Sequence, residues 1–174
     1  VNPSMDVSVF NNTSAEYWWT VDRQFNDSTK IWCTNAGGGA GNHRKTETIS
    51  AGGTKRFHPR LVRDVALPSV LPQRFQALGN SLVSDAWSGF VWQSQYTSDS
   101  LTWENALTYA DTCSMGGYTD WRLPNIKEMQ SLVDVSRNNP AMAVGFFTNQ
   151  GAQKYWTSTS LPNAPLKAWI FDSQ

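Results

Sequence analysis

Residues 116–128 read GGYTDWRLPNIKE, and the rest of the chain is best interpreted outward from this stretch. Gly116 and Gly117 suit the positive φ that closes a preceding helix. Asn125, followed three residues later by Glu128, forms a capping-box pattern, so a second helix is expected to start directly after Asn125. The stretch therefore predicts a tight crossover between two helices.

Two charges lie inside this crossover, on either side of a tryptophan. Asp120 and Arg122 flank Trp121. Because unpaired charge beside a buried indole is costly, we predict that they form an internal ion pair or a set of backbone hydrogen bonds that pins the crossover. No nucleophile or base lies nearby in the sequence, so structural roles are expected for Asp120, Trp121, Arg122, Asn125 and Glu128.

Apolar residues on both sides of the crossover have helical spacing. Before it, a stripe at i, i+3, i+4 and i+7 predicts an amphipathic helix over residues 103–113, with Thr102 as its cap. This stripe consists of Trp103, Ala106, Leu107 and Ala110. The inward stripe of the second helix consists of Ile126, Met129, Leu132 and Val133.

Short apolar runs elsewhere predict strands. We expect strands over residues 17–21 and 30–34 joined by a polar loop, a glycine-rich loop over 36–41, a hairpin of 46–49 with 55–62, and two short strands within 75–93. With the two helices, this pattern predicts an α+β fold with short antiparallel strands and long loops.

The crossover and its flanking motifs resemble a known family. GGYTDWRLP is preceded by LTWENAL at 101–107 and followed by YWTSTS at 155–160, and RF, VSD and GFVWQ occur in order within 74–93. Over about 74–171 the chain is similar to the bacterial family typified by the C-terminal domain of the Legionella collagen-like adhesin. This resemblance implies a C-type-lectin-like fold and an extracellular role in adhesion. It does not name a ligand, because proteins of one fold bind many different molecules.

The chain also contains an internal repeat. Six residues within 2–12 recur at an offset of 137 within 139–149. The pair Tyr-Trp at 17–18 recurs at 155–156 after one inserted residue, which aligns Trp18 with Trp156. Lysine and tryptophan at 30 and 32 recur at 167 and 169, back at the offset of 137.

This repeat predicts family units in permuted or tandem order. Residues 1–65 correspond to the C-terminal half of one lectin-like unit, with its closing strands. Residues 66–174 correspond to an N-terminal half with both helices, in which 138–174 repeats 1–37. Either the first segment closes the second within one permuted domain, or the halves belong to different domains. The open edges of half a unit favour the first arrangement, which makes the spare repeat a candidate for strand exchange between copies.

Composition restricts the partners and the location. Fourteen Lys and Arg balance fourteen Asp and Glu, so general attraction to nucleic acid or to an acidic membrane is not expected. No apolar run is long enough for membrane insertion. The chain opens at Val1 with neither a signal peptide nor an initiator methionine, a start that we interpret as that of a mature or shortened secreted product. We therefore expect an extracellular or cell-surface location.

Two cysteines allow at most one bridge. Cys33 and Cys113 are candidates for a disulfide, with two buried thiols as the alternative. The family resemblance implies a bridge between the helix cysteine and one in the last strand. At that last-strand position this chain has Leu61.

The candidate ligand-binding residues are mostly basic. Residues 43–63 contain many cations and a single acid, Glu47, so alternation along a hairpin would give a cationic strip suited to sulfate or carboxylate groups. A solvated hairpin face paired with acids elsewhere is the alternative. Trp19 is the candidate surface aromatic because its aligned counterpart is Thr157. The ligand-binding candidates are Trp19, Arg23, Arg44, Lys45, Lys55, Arg56 and Arg60.

Metal and enzyme chemistry have little support. Asn26-Asp27 is the nearest approach to the Asn-Asp pair of sugar-binding C-type lectins, but no acidic partner motif accompanies it, so no metal or cofactor is predicted. Both histidines lie in the basic stretch, away from a nucleophile, and we expect no enzymatic activity. The sequence thus favours a lectin-like adhesion module that binds acidic polysaccharide or a surface glycan. The alternative is a self-associating structural subunit of an extracellular filament.

Overall fold

The computed structural model divides the chain into two compact units, Val1–Ala66 (unit 1) and Leu67–Gln174 (unit 2). The described residues are 6–11, 17–35, 39–48, 54, 56–63, 73–147, 151, 153–161 and 163–174. Among these residues, no helix has both the length and the apolar character needed to cross a membrane.

Unit 1 contains a three-stranded antiparallel sheet in the order β1-β2-β3. Its strands are β1 (Tyr17–Gln24), β2 (Asp27–Asn35) and β3 (Ala40–Arg44). The first two strands run on to a two-residue turn, so the predicted polar loop between them is wrong. The residues predicted as a loop are polar and exposed, but their backbones continue the pairing of β1 with β2 as far as Gln24 opposite Asp27. A strand can carry exposed polar side chains as long as its backbone is paired.

The end of unit 1 differs from the predicted second hairpin. In the described part of residues 46–63, the only ladder contacts are isolated bridges, one antiparallel between Thr48 and Thr54 and one parallel between Trp18 and His58. The His58 bridge consists of two hydrogen bonds: Trp19 N donates to His58 O (3.1 Å), and His58 N donates to Tyr17 O (3.0 Å). Residues 56–63 therefore follow β1 at one point and form no strand.

In its described residues, unit 2 contains two sheets, two α-helices and a short 3-10 helix (Met115–Gly117), which makes the described chain α+β. The antiparallel sheet β4-β5-β6 comes first, and the hairpin β7–β8 comes last. The elements are β4 (Phe75–Gly79), β5 (Leu82–Asp85), β6 (Phe90–Gln93), α1 (Trp103–Asp111), α2 (Ile126–Ser131), β7 (Lys154–Leu161) and β8 (Ala164–Asp172).

Both helix starts are confirmed. Thr102 caps α1, accepting at Oγ1 a hydrogen bond of 3.3 Å from the Asn105 N–H. The capping box of α2 is complete: the Glu128 N–H donates to Asn125 Oδ1 (2.9 Å), and the Asn125 N–H donates to Glu128 Oε2 (2.8 Å). Between the helices, Gly116 and Gly117 have φ of 64° and 83°, the left-handed conformation that the sequence predicts.

The core of unit 2 lies between α2, the first sheet and the last hairpin. Two indoles tie β7 to the start of α1: Trp103 Nε1 donates to Thr157 O (2.8 Å) and Trp156 Nε1 donates to Leu101 O (2.9 Å). The buried residues of this core are Phe75, Val83, Met129, Leu132, Met142, Phe147 and Phe171.

The hairpins β1–β2 and β7–β8 have the same strand register. Each recorded pair in the first hairpin has a counterpart 137 residues later, and the irregularities fall at the same places. Thr20 Oγ1 donates to Trp32 O in the first hairpin, and Thr157 Oγ1 donates to Trp169 O in the second, both at 2.9 Å. The two hairpins are therefore equivalent at a constant offset.

This constant offset shows that the inserted residue in the sequence alignment is wrong. Trp19 lies opposite Cys33, and Trp156 lies opposite Ile170, 137 positions later in each case. Trp19 is therefore the counterpart of Trp156, not of Thr157. The alignment followed identical letters, whereas backbone pairing determines which residues are equivalent.

The cysteines are both thiols, so the disulfide is absent and the thiol alternative applies. Cys33 is buried in the sheet of unit 1, where its Sγ–H donates to Gly41 O (3.4 Å). Cys113 is half-buried just after α1, in unit 2.

Candidate functional site

The crossover of unit 2 is held by a different ion pair from the predicted one. Arg122 donates from both terminal nitrogens to Glu128, at 2.7 and 2.8 Å, whereas Asp120 is exposed. An ion pair between Asp120 and Arg122 is therefore wrong. The capping box brings the Glu128 carboxylate to the guanidinium in a two-pronged geometry, which is the strongest arrangement for this pair.

Electrostatics at the crossover follow from that contact. The hydrogen bonds from Arg122 lower the pKa of Glu128; burial opposes this shift, and the Asn125 N–H adds to it. The same bonds raise the pKa of Arg122. The Trp121 indole N–H donates to Met115 O (3.1 Å), so it is occupied within the crossover. These contacts stabilise the crossover, so we assign it a structural role.

A second ion pair, which is buried and which the sequence did not predict, joins the residue before β4 to the end of β5. Arg74 donates to both carboxylate oxygens of Asp85, at 3.1 and 2.9 Å, and the Trp87 N–H donates to Asp85 Oδ1 at 3.0 Å. Burial raises the pKa of Asp85, but these hydrogen bonds and the charge of Arg74 bring it below its ordinary value. The sequence feature that could have indicated this pair is Asp85, an aspartate directly before the turn 86–89.

The strand register of unit 1 assigns its candidate ligand-binding residues to faces. Residues that lie directly opposite each other in an antiparallel sheet share a face. Lys30 lies opposite Arg44, and Trp18 lies opposite Thr34. Because side chains alternate along β2, the half-buried Trp32 lies on the same face as Lys30.

Arg60 joins this face from outside the sheet. Its guanidinium carbon lies 5.9 Å from the centre of the Trp18 ring and 5.0 Å from that of Phe10. We use the name basic face for the surface formed by Lys30, Arg44 and Arg60 with Trp18 and Trp32.

An acid lies beside the basic face. Asp27 Oδ2 is 3.7 Å from Lys30 Nζ. The pKa of Asp27 is lowered first by hydrogen bonds from Thr29 and then by the charges of Lys30 and Arg44. The carboxylate is therefore a local competitor for any anion that approaches these cations.

Trp19 and Arg23 are on the other side of the sheet, opposite Cys33 and Ile31. The Trp19 ring lies 4.5 Å from that of Phe57 and is half-buried, so the expected surface aromatic is a packed one. Phe57 also contacts the rings of Tyr17 and His43 on this side.

The remaining candidates do not join the basic face. Lys45 and Arg56 are exposed and lie outside the strands, and Lys55 lies outside the described residues. The predicted single cationic strip is thus formed only in part, by Arg44 and Arg60, because the segment after β3 does not continue as a hairpin.

Unit 2 has a cleft that the sequence did not predict. It has a volume of about 340 Å³ and is lined by the polar segment 93–101, with Tyr109 and Trp156 on its walls and Met129 and Phe147 among its apolar residues. The sequence alone does not indicate this cleft, because the residues of its walls are far apart along the chain.

A cation site is not evident in the part of the chain that the structure describes, where no three His, Cys, Asp or Glu side chains are grouped to hold a metal ion. The basic face is the candidate functional site because it groups three cations on one side of the sheet.

Comparison with known proteins agrees with the motifs of the crossover. Residues 81–174 match the family model described as the Lcl C-terminal domain, which is more than half of the 174 residues and includes both helices and the hairpin β7–β8. No curated protein and no solved structure matches the chain. The family match supports an adhesin-related domain with a surface location. The chain belongs to the Lcl C-terminal domain family, that of the Legionella collagen-like adhesin.

Proposed function

We propose that this chain is an extracellular, non-catalytic adhesion module with a C-type-lectin-like fold, and that its basic face binds acidic polysaccharide. Membership in the adhesin family supports the surface role. The observation that carries the choice of ligand is the placement of Lys30, Arg44 and Arg60 on one face with the half-buried Trp32; Trp18 on the same face is buried.

The chemistry of the basic face suits a charged sugar. Guanidinium and ammonium groups bind sulfate and carboxylate through charge-assisted hydrogen bonds, and an indole face packs against the apolar side of a sugar ring. Arg44 is exposed, and Trp32 is half-buried on the same side. A polysaccharide also offers many equivalent anionic groups, so weak contacts add through multivalency.

The distribution of charge along the chain supports binding through unit 1. Val1–Ala66 carries eight Lys and Arg against six Asp and Glu, whereas Leu67–Gln174 carries six against eight. The neutral chain therefore has a positive unit and a negative unit. A polyanion is attracted to the first within a Debye length of about 8 Å at physiological salt.

The test is elution from immobilised heparin, a sulfated polysaccharide, by increasing salt. Arg44→Ala with Arg60→Ala is expected to elute at lower salt than wild type and to bind about tenfold more weakly, since each solvent-exposed ion pair contributes about 0.2–1 kcal/mol. The matched control, Lys127→Ala with Arg137→Ala, removes two exposed cations from unit 2 and is expected to elute like wild type.

Asp27→Asn is expected to strengthen binding to heparin. Removing the carboxylate beside Lys30 is expected to raise the salt needed for elution. Equal elution of the basic-face variant, the control variant and wild type would reject the proposed ligand site. Duplex DNA is expected to compete poorly at physiological salt, because the proposal assigns recognition to contacts with sugar rings as well as to charge.

A second candidate function is a self-associating structural subunit of an extracellular filament. The observation that favours it is the presence of two equivalent hairpins in one chain, of which only β1–β2 has a third strand among the described residues. Light scattering over a concentration series tests it: the mean mass is expected to rise with concentration, whereas a constant monomer mass would reject it.

A further inference from the structure

We propose that the outer edge of β8 docks on the sheet of unit 1 in a second copy of this chain, beside β3, and so joins copies head to tail. This inference deepens the structural-subunit function and rests on it. It names the two surfaces and the order in which they meet.

The same hairpin occurs twice in the chain, once with a third strand beside it and once without one among the described residues. In unit 1 the outer edge of β2 pairs with β3 from Lys30–Arg44 to Thr34–Ala40. In unit 2 the equivalent strand β8 pairs only with β7 among the described residues. The equivalent of the edge covered in unit 1 thus has no strand neighbour in the described part of unit 2.

Burial at equivalent positions differs accordingly. Cys33 in β2 is 1% exposed, whereas its counterpart in β8, Ile170, is 44% exposed. Trp169 is 39% exposed and Leu166 is fully exposed on the same strand. A strand edge with exposed large apolar side chains is a template for pairing with another strand.

Strand pairing favours a second copy as the occupant, because β3 and β8 of one chain belong to separate sheets. Each chain has two equivalent hairpins and one strand of the β3 type in its described residues. In the described residues, β3 pairs with β2 on one of its two edges. If its other edge receives β8 of a neighbour, one β3 serves both hairpins, and the sheet continues in the order β1-β2-β3 and then β8-β7 of the second copy.

Charge favours the same arrangement. Unit 1 has a net charge of +2 and unit 2 a net charge of −2, counted from their Lys, Arg, Asp and Glu residues. A contact between unit 1 of one copy and unit 2 of the next therefore joins opposite charges, whereas a contact between two β8 edges joins like charges. Contacts between different surfaces do not close by twofold symmetry and produce open assemblies.

The experiment compares wild type with two variants that place a charge on the β8 edge, Leu166→Lys and Trp169→Lys. Sedimentation over a concentration series is expected to show growth of wild type and a constant monomer mass for both variants. Because the Leu166 side chain is fully exposed, Leu166→Lys keeps the native fold, which its circular dichroism spectrum verifies. The matched control Val21→Lys adds the same charge at a 90% exposed apolar residue of β1 and is expected to assemble like wild type.

Mixing experiments test the head-to-tail order. A β8-edge variant retains β3, so it is expected to add to one end of a wild-type assembly and stop its growth, which lowers the mean mass as its share rises. Amides of β8 are expected to exchange with solvent more slowly in assembled wild type than in dilute wild type.

The outcomes separate the inference from the function on which it rests. If wild type and both β8-edge variants assemble equally, the β8 docking surface is wrong and the structural-subunit function stands. If the β8-edge variants remain monomeric but do not shorten wild-type assemblies, the head-to-tail order is wrong. If wild type remains monomeric at all concentrations, the structural-subunit function fails and this inference fails with it.

Discussion

At the residue scale, Asp85 and Glu128 are the two carboxylates on which unit 2 depends. Each accepts a two-pronged contact from an arginine, Arg74 in the first case and Arg122 in the second. They differ in solvent access: the Asp85 side chain is fully buried, whereas Arg122 is more than half exposed. Water therefore screens the second pair more strongly than the first.

This difference predicts unequal costs for neutral substitutions. Asp85→Asn is expected to lower the free energy of unfolding by about 3 kcal/mol, because it leaves Arg74 without its charged partner at a buried position. Glu128→Gln is expected to cost about 1 kcal/mol, since the amide retains part of the cap. Urea denaturation measures both values, and a larger cost for Glu128→Gln would contradict this reading of burial.

The same carboxylates determine how stability depends on pH. Their pKa values in the folded chain lie below their ordinary values, so the folded state holds fewer protons there than the unfolded state. The stability that they contribute is complete above about pH 4.5 and is lost as the pH falls through the folded-state values. Thermal unfolding between pH 7 and pH 3 is expected to show this loss in wild type and a weaker loss in Asp85→Asn. Parallel profiles would contradict it.

The two crossover glycines give a matched pair of substitutions. Both have positive φ, but a Cβ at Gly116 would overlap the Leu82 side chain, whereas a Cβ at Gly117 would have no heavy atom within 4 Å. Gly117→Ala is expected to cost about 1 kcal/mol from backbone strain alone. Gly116→Ala is expected to cost about 1–3 kcal/mol more because the core must shift. Equal melting temperatures for the two variants would show that the contact with Leu82 is not limiting.

At the element scale, local signals predicted the helices well and the strands poorly. Thr102, Asn125 and Glu128 specify helix starts through contacts within a few residues, so the sequence alone was sufficient there. Strand ends depend on partners far along the chain. For this reason the sequence predicts a glycine-rich loop over 36–41, where β3 already starts at Ala40, and it predicts β1 and β2 too short.

The sequence also did not predict which charged side chains contact each other. Arg122 could pair with Asp120, two positions before it, or with Glu128, six positions after it. The path of the backbone brings Glu128 to the guanidinium, and the sequence does not show this path. The basic face was predicted only in part for the same reason. Arg44 and Arg60 were identified, but the register, not their spacing, places Lys30 with them and Arg23 on the opposite side.

Equivalent threonines in the two hairpins test how the surroundings change one hydrogen bond. Thr20 and Thr157 make the same 2.9 Å bond to a tryptophan carbonyl, but Thr157 is fully buried and Thr20 is half-buried. Thr157→Val is expected to cost about 1–3 kcal/mol because the hydrogen bond is made by a fully buried side chain, and Thr20→Val is expected to cost less than about 1 kcal/mol. Chemical denaturation of the two variants measures the difference, and a larger cost at Thr20 would contradict the effect assigned to burial.

At the whole-molecule scale, the family was predictable because several linked motifs occur in family order, and residues 81–174 match the family model. The arrangement in which the first segment closes the second stays a prediction. The segregation of charge between the units was present in the sequence, but the net charge of zero concealed it. The division at Ala66 reveals a positive unit that carries the candidate ligand site.

Nuclear magnetic resonance of the isotopically labelled chain during titration with a sulfated oligosaccharide shows whether the basic face binds the ligand. Amide shifts are expected to concentrate at Lys30, Arg44, His58 and Arg60, and to weaken as salt is added. Shifts confined to the cleft of unit 2, or no shifts at low salt, would contradict this expectation.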